Sequence, residues 1–366
     1  MNSSFSGAEE VDFWTDVRTP ADTAHKNAPR LIFTAIPDVA PIDRARSSFD
    51  QPDVPEALAP ALFSRNGNAA VAIKEGALKT FAVIDGERLC NLPELLEATG
   101  LEHISLYGED ADPRLIRSGP WLVKLSEDSR FMRNFFLPDF ERNRDNALWL
   151  KNWGIFLRSR AGLDDVVRHL RKFTRIRDEY DSWFYFRFWD ADFMGLYLRQ
   201  ERAADFPLAR RLLDPVIVDS IVVTSPFDGC YTVHLEDVDA AKRVRPAIGF
   251  RRDDFDAVAD HLADCRAARV FDRNYHRLLR GEALTRLRDR ISTARAACKD
   301  LGIREDELPG TFILLGVVFA RDFWQQGAFM DYWSSSRLAP AERFRLYLSG
   351  VKSSMRRAGL PLKAWW

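Results

Sequence analysis

Cysteine, histidine and lysine are scarce in this chain of 366 residues, and neither a long apolar run nor an excess of one charge occurs. The four cysteines, Cys90, Cys230, Cys265 and Cys298, are scattered and form no Cys-x-x-Cys pair. That excludes a disulfide framework and a zinc ribbon, and fits a reducing compartment. Of the six histidines, only His261 shows ligand spacing, four residues before Cys265 on one helix. Two ligands without two more do not make a metal site, so neither a metal nor a cofactor is expected. Lys plus Arg is 53 and Asp plus Glu is 54, a formal charge of −1. A nucleic-acid binder carries a basic excess, and this chain lacks one. The longest apolar run, Phe312 to Ala320, is too short to span a bilayer. The first ten residues contain no basic stretch leading into an apolar one, so no secretory signal is expected. The expectation is a soluble cytoplasmic protein with no nucleic-acid or membrane partner. There is also no Gly-x-Ser-x-Gly elbow, no His-Glu-x-x-His and no phosphate loop.

What is present is an ordinary globular composition, 46% hydrophobic and 29% charged, in a chain long enough for one large or two ordinary domains. The basic residues are mostly Arg, which makes bidentate and stacked contacts that Lys cannot. Trp153-Gly154-Ile155-Phe156-Leu157-Arg158-Ser159 alternates with the period of a strand, Trp153, Ile155 and Leu157 on one side, Gly154, Phe156 and Arg158 on the other. The period then changes. Leu163, Val166, Val167, Leu170 and Phe173 form one apolar helical stripe, with Asp164 and Asp165 in the first turn and Arg171 and Lys172 in the last. His169 lies off that stripe and is expected in solvent. Trp183–Trp189 reads as the next strand, ending at Asp190.

Along the chain, residues 1–65 are rich in Pro, Asp, Ser and Ala and read as an extended or partly ordered N-terminal arm. Residues 66–240 alternate strands and helices, including Phe81–Asp85, Leu92–Thr99 and Trp121–Leu125. Such alternation predicts an α/β fold, a mixed, mostly parallel sheet flanked by helices. Val216–Val223 and Cys230–Leu235, joined by Pro226-Phe227-Asp228-Gly229, read as a hairpin closing the sheet. A boundary is expected between Glu236 and Pro246. Residues 246–366 read as an all-helical C-terminal lobe, with Phe312–Trp324 as its central helix and Trp365-Trp366 docked back on the protein.

Several of these segments come in a telling order: Ile84-Asp85-Gly86, Pro120-Trp121-Leu122-Val123-Lys124-Leu125, the Trp153–Ser159 strand, the Arg168-His169-Leu170-Arg171-Lys172-Phe173 helix, and Phe186-Arg187-Phe188-Trp189-Asp190. The series resembles the shared domain of bacterial type VI secretion effector adaptors, or effector chaperones, over about residues 78–200. Two features depart from that family: Trp189-Asp190-Ala191 stands where Tyr-Asp-Pro is commoner, and the segment before residue 78 is long. The resemblance implies a non-enzymatic adaptor whose partners are a toxic effector protein and the VgrG spike protein.

From the residues themselves, Asp85 reads either as a functional carboxylate at a strand's carboxyl end or as an Asp capping the turn that follows. Arg187 and Asp190, with Arg158 as a possible third member, suggest a buried ion-pair cluster. Trp153, Arg158, Arg187, Trp189 and Asp190 are the candidates for architecture first and partner contact second, and no catalytic residue is assigned. The alternative is a hydrolase or phosphoryl-group enzyme using Asp85, Asp190 and Arg187, which requires those side chains to converge in one accessible cleft.

Overall fold

The computed structural model describes residues 31–42, 52–65, 76–89, 91–138, 147–178, 180–199, 207–236, 249–250, 252–279, 282–304, 308–319 and 322–357. His25, Cys90 and the Trp365-Trp366 end lie outside them, as does most of the expected boundary after Glu236. The chain divides into two compact units, Met1–Ser225 with Gly229–Phe255, and Pro226–Asp228 with Asp256–Trp366.

The first unit is organised by a seven-stranded sheet in the order β1-β9-β8-β5-β2-β4-β3. Its strands are β1 (Leu31–Ile36), β2 (Lys79–Asp85), β3 (His103–Ser105), β4 (Pro120–Leu125), β5 (Gly154–Ser159), β8 (Ser220–Ser225) and β9 (Gly229–Leu235). Every bonded neighbour in this sheet is antiparallel. The expected mostly parallel sheet is therefore incorrect, and the pairing explains why. β2 is antiparallel to both β4 and β5, so β4 and β5 run the same way with β2 between them. Likewise β2 and β3 run the same way with β4 between them. Connections with helices join β2 to β3 and β4 to β5, strands of equal direction, with an antiparallel strand inserted into each of these gaps, whereas β3 and β4, joined through the helix Pro113–Ser118, are antiparallel neighbours. Alternation of strand and helix in the sequence does not distinguish adjacent parallel strands from strands one place apart.

Helices α1 (Ala59–Phe63), α2 (Leu92–Thr99), α3 (Pro113–Ser118), α4 (Arg133–Phe136), α5 (Leu163–Thr174), α6 (Ala191–Arg199) and α7 (Pro207–Leu212) complete this unit. α5 forms where its stripe predicts. Asp164 and Asp165 sit in the first turn and Arg171 and Lys172 in the last, and Val166, Leu170 and Phe173 are buried. His169 departs from expectation. It is buried, and its Nε2 lies 3.0 Å from the Leu212 carbonyl on α7, because α7 covers a second face of α5 that the sequence stripe does not reveal. The strand expected at Trp183–Trp189 is also shorter. Only β7 (Trp183–Tyr185) is extended, and it pairs with β6 (Arg175–Asp178) in a separate three-stranded sheet, β10-β6-β7, where β10 is Gly249–Phe250. β10–β6 is the parallel pair among the described strands.

β5 and β8 are buried at every position, and β2 at all but its first. Along one face Ala82, Ile84, Phe156 and Val222 pack with Leu58 and Leu62 from the α1 region, Leu92 and Leu96 of α2, and an aromatic group. In that group Phe135 lies 4.3 Å from Trp153 and 5.2 Å from Phe156, and Trp153 lies 4.8 Å from Phe156, ring centre to ring centre. Strict alternation puts Trp153 and Phe156 on opposite faces. The residue between them that changes this is Gly154, at φ +151°. A Cβ there would stand 1.8 Å from the Val83 carbonyl oxygen of the neighbouring strand.

The helices of the second unit are α8 (Arg252–Leu279, from Asp256 on), α9 (Leu284–Asp300), α10 (Leu308–Leu314), α11 (Gly327–Ser335) and α12 (Pro340–Arg357). An all-helical character is as expected, but the single helix at Phe312–Trp324 is not. α10 gives way to a π turn at Leu315–Phe319, and Phe323–Gln325 forms a 3-10 turn. Gly316 faces Trp324 so closely that a Cβ would lie 2.1 Å from its ring. Phe312, Phe323, Trp324, Phe329 and Phe344 surround that point. Cys265 and Cys298 are buried thiols of this unit and Cys230 one of the first. Burial pushes Cys230 up to about 12 and Cys298 up to about 11. No helix among the described residues is long and apolar enough to cross a membrane.

Replacing Gly154 by alanine forces a side chain into the β2 backbone at a φ that L-residues rarely adopt. The variant is expected to lose at least about 3 kcal/mol of stability, seen as a lowered thermal midpoint. An unchanged midpoint would refute the close approach.

Candidate functional site

The candidate residues gather around the carboxyl end of β2. Asp85 N–H donates to the Trp153 carbonyl at 2.7 Å, and Gly86 N–H to Gly119 at 2.9 Å, so two neighbouring strands fix this corner. One Asp85 carboxylate oxygen accepts from Glu87 N–H at 3.1 Å, and the Asp85 carbonyl accepts from Arg88 N–H at 3.0 Å. Asp85 thus caps its own turn. Its other oxygen receives the Arg187 guanidinium in an ion pair. The same guanidinium reaches Glu87 Oε2 at 3.2 Å, and Arg88 Nε stands 3.9 Å from Asp85. Asp85 is 3% exposed. Burial pushes its carboxyl above the usual carboxylate value, while Arg187, the Glu87 N–H and Arg88 pull against that rise. Burial lowers the Arg187 guanidinium, but Asp85 and Glu87 more than restore it, leaving it above the ordinary value.

Asp190 serves a different purpose. One carboxylate oxygen accepts from Phe193 N–H at 2.9 Å and from the Asn152 side-chain amide, while the Asn152 Oδ1 accepts from Ala191 N–H at 2.8 Å. Asp190 is the N-cap of α6, and Asn152 caps a second donor of the same turn. Arg187 feels its charge, but the carboxylate points into the helix end. The enzyme alternative asks Asp85 and Asp190 to face one open cleft. Here Asp85 faces the interior and Asp190 the first turn of α6.

Arg158 does not join this group. It pairs in register with Thr80, whereas Gly154 pairs with Ile84, and four residues of strand place it about 13 Å along the sheet. Its two terminal nitrogens donate to the carbonyls of Ala61, at 2.7 Å, and Ser64, at 2.5 Å. These carbonyls belong to the end of α1, so a buried cation closes a helix C-terminus and complements its dipole. Burial pulls Arg158 down to about 10, opposed by Asp219. Trp153 and Trp189 are both buried at 3%, and Trp189 Nε1 has no acceptor among the described residues. They are core residues beside the cluster.

Sequence reasoning missed Glu87 and Asn152. Glu87 follows Asp85 by two residues in a turn, the one signal that could have added it. Asn152 is announced only by being polar beside Trp153. His261 and Cys265 belong to no group of three ligands among the described residues. Cys265 is buried, and His261 Nε2 lies 3.6 Å from Asp228, which is also paired with Arg288 at 3.0 Å. No group of three or more potential ligands occurs among the described residues.

Removing the cap with Asp190→Ala should cost roughly 1–2 kcal/mol in chemical denaturation, and Asp190→Asn, which keeps the acceptor, markedly less. His169 gives a pH test. Burial holds its folded value below the ordinary 6.5, against upward pulls from the Leu212 carbonyl and Asp214 and with Lys172 and Arg211 assisting. The unfolded chain therefore takes up a proton first as pH falls below about 6.5, and stability present above that pH is lost. The thermal midpoint of the wild type should fall relative to His169→Gln between neutral pH and pH near 5. Parallel curves would contradict the assignment.

Residues 80–204, about a third of the chain, match a family profile described as a domain of unknown function, DUF4123. No curated protein and no solved structure matches the chain. The matched span contains the Asp85–Glu87–Arg187 cluster, Asn152, Asp190 and Arg158.

Proposed function

We propose that this chain is a non-enzymatic adaptor of the bacterial cytoplasm that binds a toxic type VI secretion effector and assists its loading onto the VgrG spike. The observation that carries the reading is positional. The ordered segments that resemble the effector adaptors, from Ile84-Asp85-Gly86 to Phe186–Asp190, all fall within the matched span 80–204.

The chemistry of the site supports it. The Asp85 carboxylate is bonded to its own turn and to Arg187, Asp190 to a helix end, and Arg158 to two carbonyls. Desolvated pairs of this kind contribute to a unique geometry more than to net stability, because desolvation cancels much of the attraction. An adaptor needs such a fixed geometry, since binding by shape requires surfaces that stay in place. The apolar surface of an effector would be covered until the spike takes it over, with the sheet unit as the scaffold common to the family and the helical unit contributing grip.

Co-expression tests this directly. With the effector and spike proteins encoded beside its gene, the tagged chain is expected to co-purify with at least one of them. Recovery of the chain alone from every such pairing would sink the reading.

A further inference from the structure

The hairpin β6–β7 displays side chains of a kind that proteins ordinarily bury. Tyr180, Trp183 and Tyr185 are 69%, 44% and 59% exposed. The register opposes Arg175 to Tyr185 and Arg177 to Trp183, so these four share the outer face, while Ile176 and Phe184 point inward. The Arg175 and Arg177 guanidiniums lie 4.9 and 4.5 Å from the centre of the Trp183 ring. Tyr107 meets Tyr185 edge-on at 6.2 Å and extends the face.

The hairpin is held ready. Asp178, buried at its base, accepts from Tyr180 N–H at 3.0 Å and Ser182 N–H at 2.8 Å, and Asp181 takes the left-handed φ of 64° that the turn needs. Trp183 is clamped by its two cations, so little side-chain freedom remains to be lost on binding.

β7 is also an edge, the last strand of its sheet. Asp178 N–H donates to the Ser182 carbonyl and Phe186 N–H to the Thr174 carbonyl, both at 3.1 Å. In an antiparallel ladder bonded and non-bonded pairs alternate, which makes Trp183 and Tyr185 members of non-bonded pairs. Their backbone N–H and C=O groups therefore face away from β6, and none is bonded among the described residues. An open edge is normally blunted by shortness, charge or cover; this one is short, at three residues, and carries exposed aromatics. The uncompensated charge of the face is the Arg175 guanidinium. Arg177 is paired with Asp181 at 2.6 Å, but Arg175 has no carboxylate among the described residues.

The geometry points to β7 as the place where an extended, carboxylate-bearing segment of a partner protein adds as a fourth strand beside Trp183 and Tyr185, with an acidic side chain on the same face reaching across these rings toward Arg175. This rests on the adaptor reading and says where on the scaffold a partner engages. Backbone bonds from Trp183 and Tyr185 supply affinity, and the Arg–aromatic face supplies the choice of acidic over basic segments. Trp, Tyr and Arg are also the residues most enriched where binding energy concentrates.

The test pans a displayed library of random short peptides against the full chain, with Arg175→Glu and Trp183→Ala as counter-variants. Both sites are exposed, and an unchanged thermal midpoint verifies that each variant folds. The enriched peptides are expected to alternate Asp or Glu with β-branched residues, and to bind each variant at least about tenfold more weakly. They should also lose binding when alternate backbone nitrogens are methylated. The absence of enrichment, enrichment of basic peptides, equal binding to the variants, or indifference to methylation each overturns the proposal. Co-purification with the effector or spike would persist in that case if the adaptor reading holds, so the two fail separately.

Discussion

The approach of β5 to β2 at Gly154 is the constraint on which the first unit turns. Three central strands, β8, β5 and β2, are buried on both faces, so their backbone groups are satisfied by the neighbouring strands of the sheet and not by water. Only a residue without a Cβ can stand 1.8 Å, at its missing carbon, from the Val83 carbonyl. Granting that, the chain swings Trp153 onto the same side as Phe156, and the indole completes the aromatic group with Phe135. The Trp153 carbonyl simultaneously receives Asp85 N–H, which sets the corner where Arg187 and Glu87 meet. Packing on one face and charge at the strand end thus have a common origin in one glycine.

Charged residues in this unit act as fasteners between segments far apart in sequence. Arg158 on β5 ties the end of α1 to the sheet, and Thr80 of β2 donates to the Leu62 carbonyl of the same helix. Arg187 ties the chain after β7 to the end of β2. Asn152 and Asp190 join the start of β5 to the start of α6. Each fastener satisfies backbone or carboxylate groups that burial would otherwise leave without water. Their concentration within residues 80–204 gives a physical content to the span shared with DUF4123.

Local periodicity made much of this legible. The α5 stripe and the β2 and β5 strands stand where residue patterns put them, because each is set by burial of its own side chains, while the first strand of the β8–β9 hairpin begins at Ser220 and not at Val216, since residues 216–219 turn. Sheet direction was not legible, since residue patterns along the chain do not record which of the consecutive strands β2 to β5 pair with one another. Nor was the fate of Phe186–Asp190, whose aromatic alternation suggests a strand but which turns to place Asp190 at a helix start. His169 was misjudged because one stripe was visible and the covering α7 was not. Among the charged candidates, Arg187 pairs with Asp85 and Glu87 and Asp190 caps α6, in place of the expected Arg187–Asp190 pair, while Arg158 was grouped with them by type. Strand register, which sequence alone does not give, separates them.

The sealed thiols have an experimental consequence. Cys230 belongs to the sheet unit and Cys265 and Cys298 to the helical one. An alkylating reagent needs the thiolate, and burial together with the elevated values of Cys230 and Cys298 withholds it while each unit stays closed. With Cys90 replaced by serine, the modification rate of each sulfur becomes a clock for the opening of its own unit. The chain thereby carries, without engineered labels, three chemical reporters, one in the sheet unit and two in the helical one, of whether the units open together or in turn.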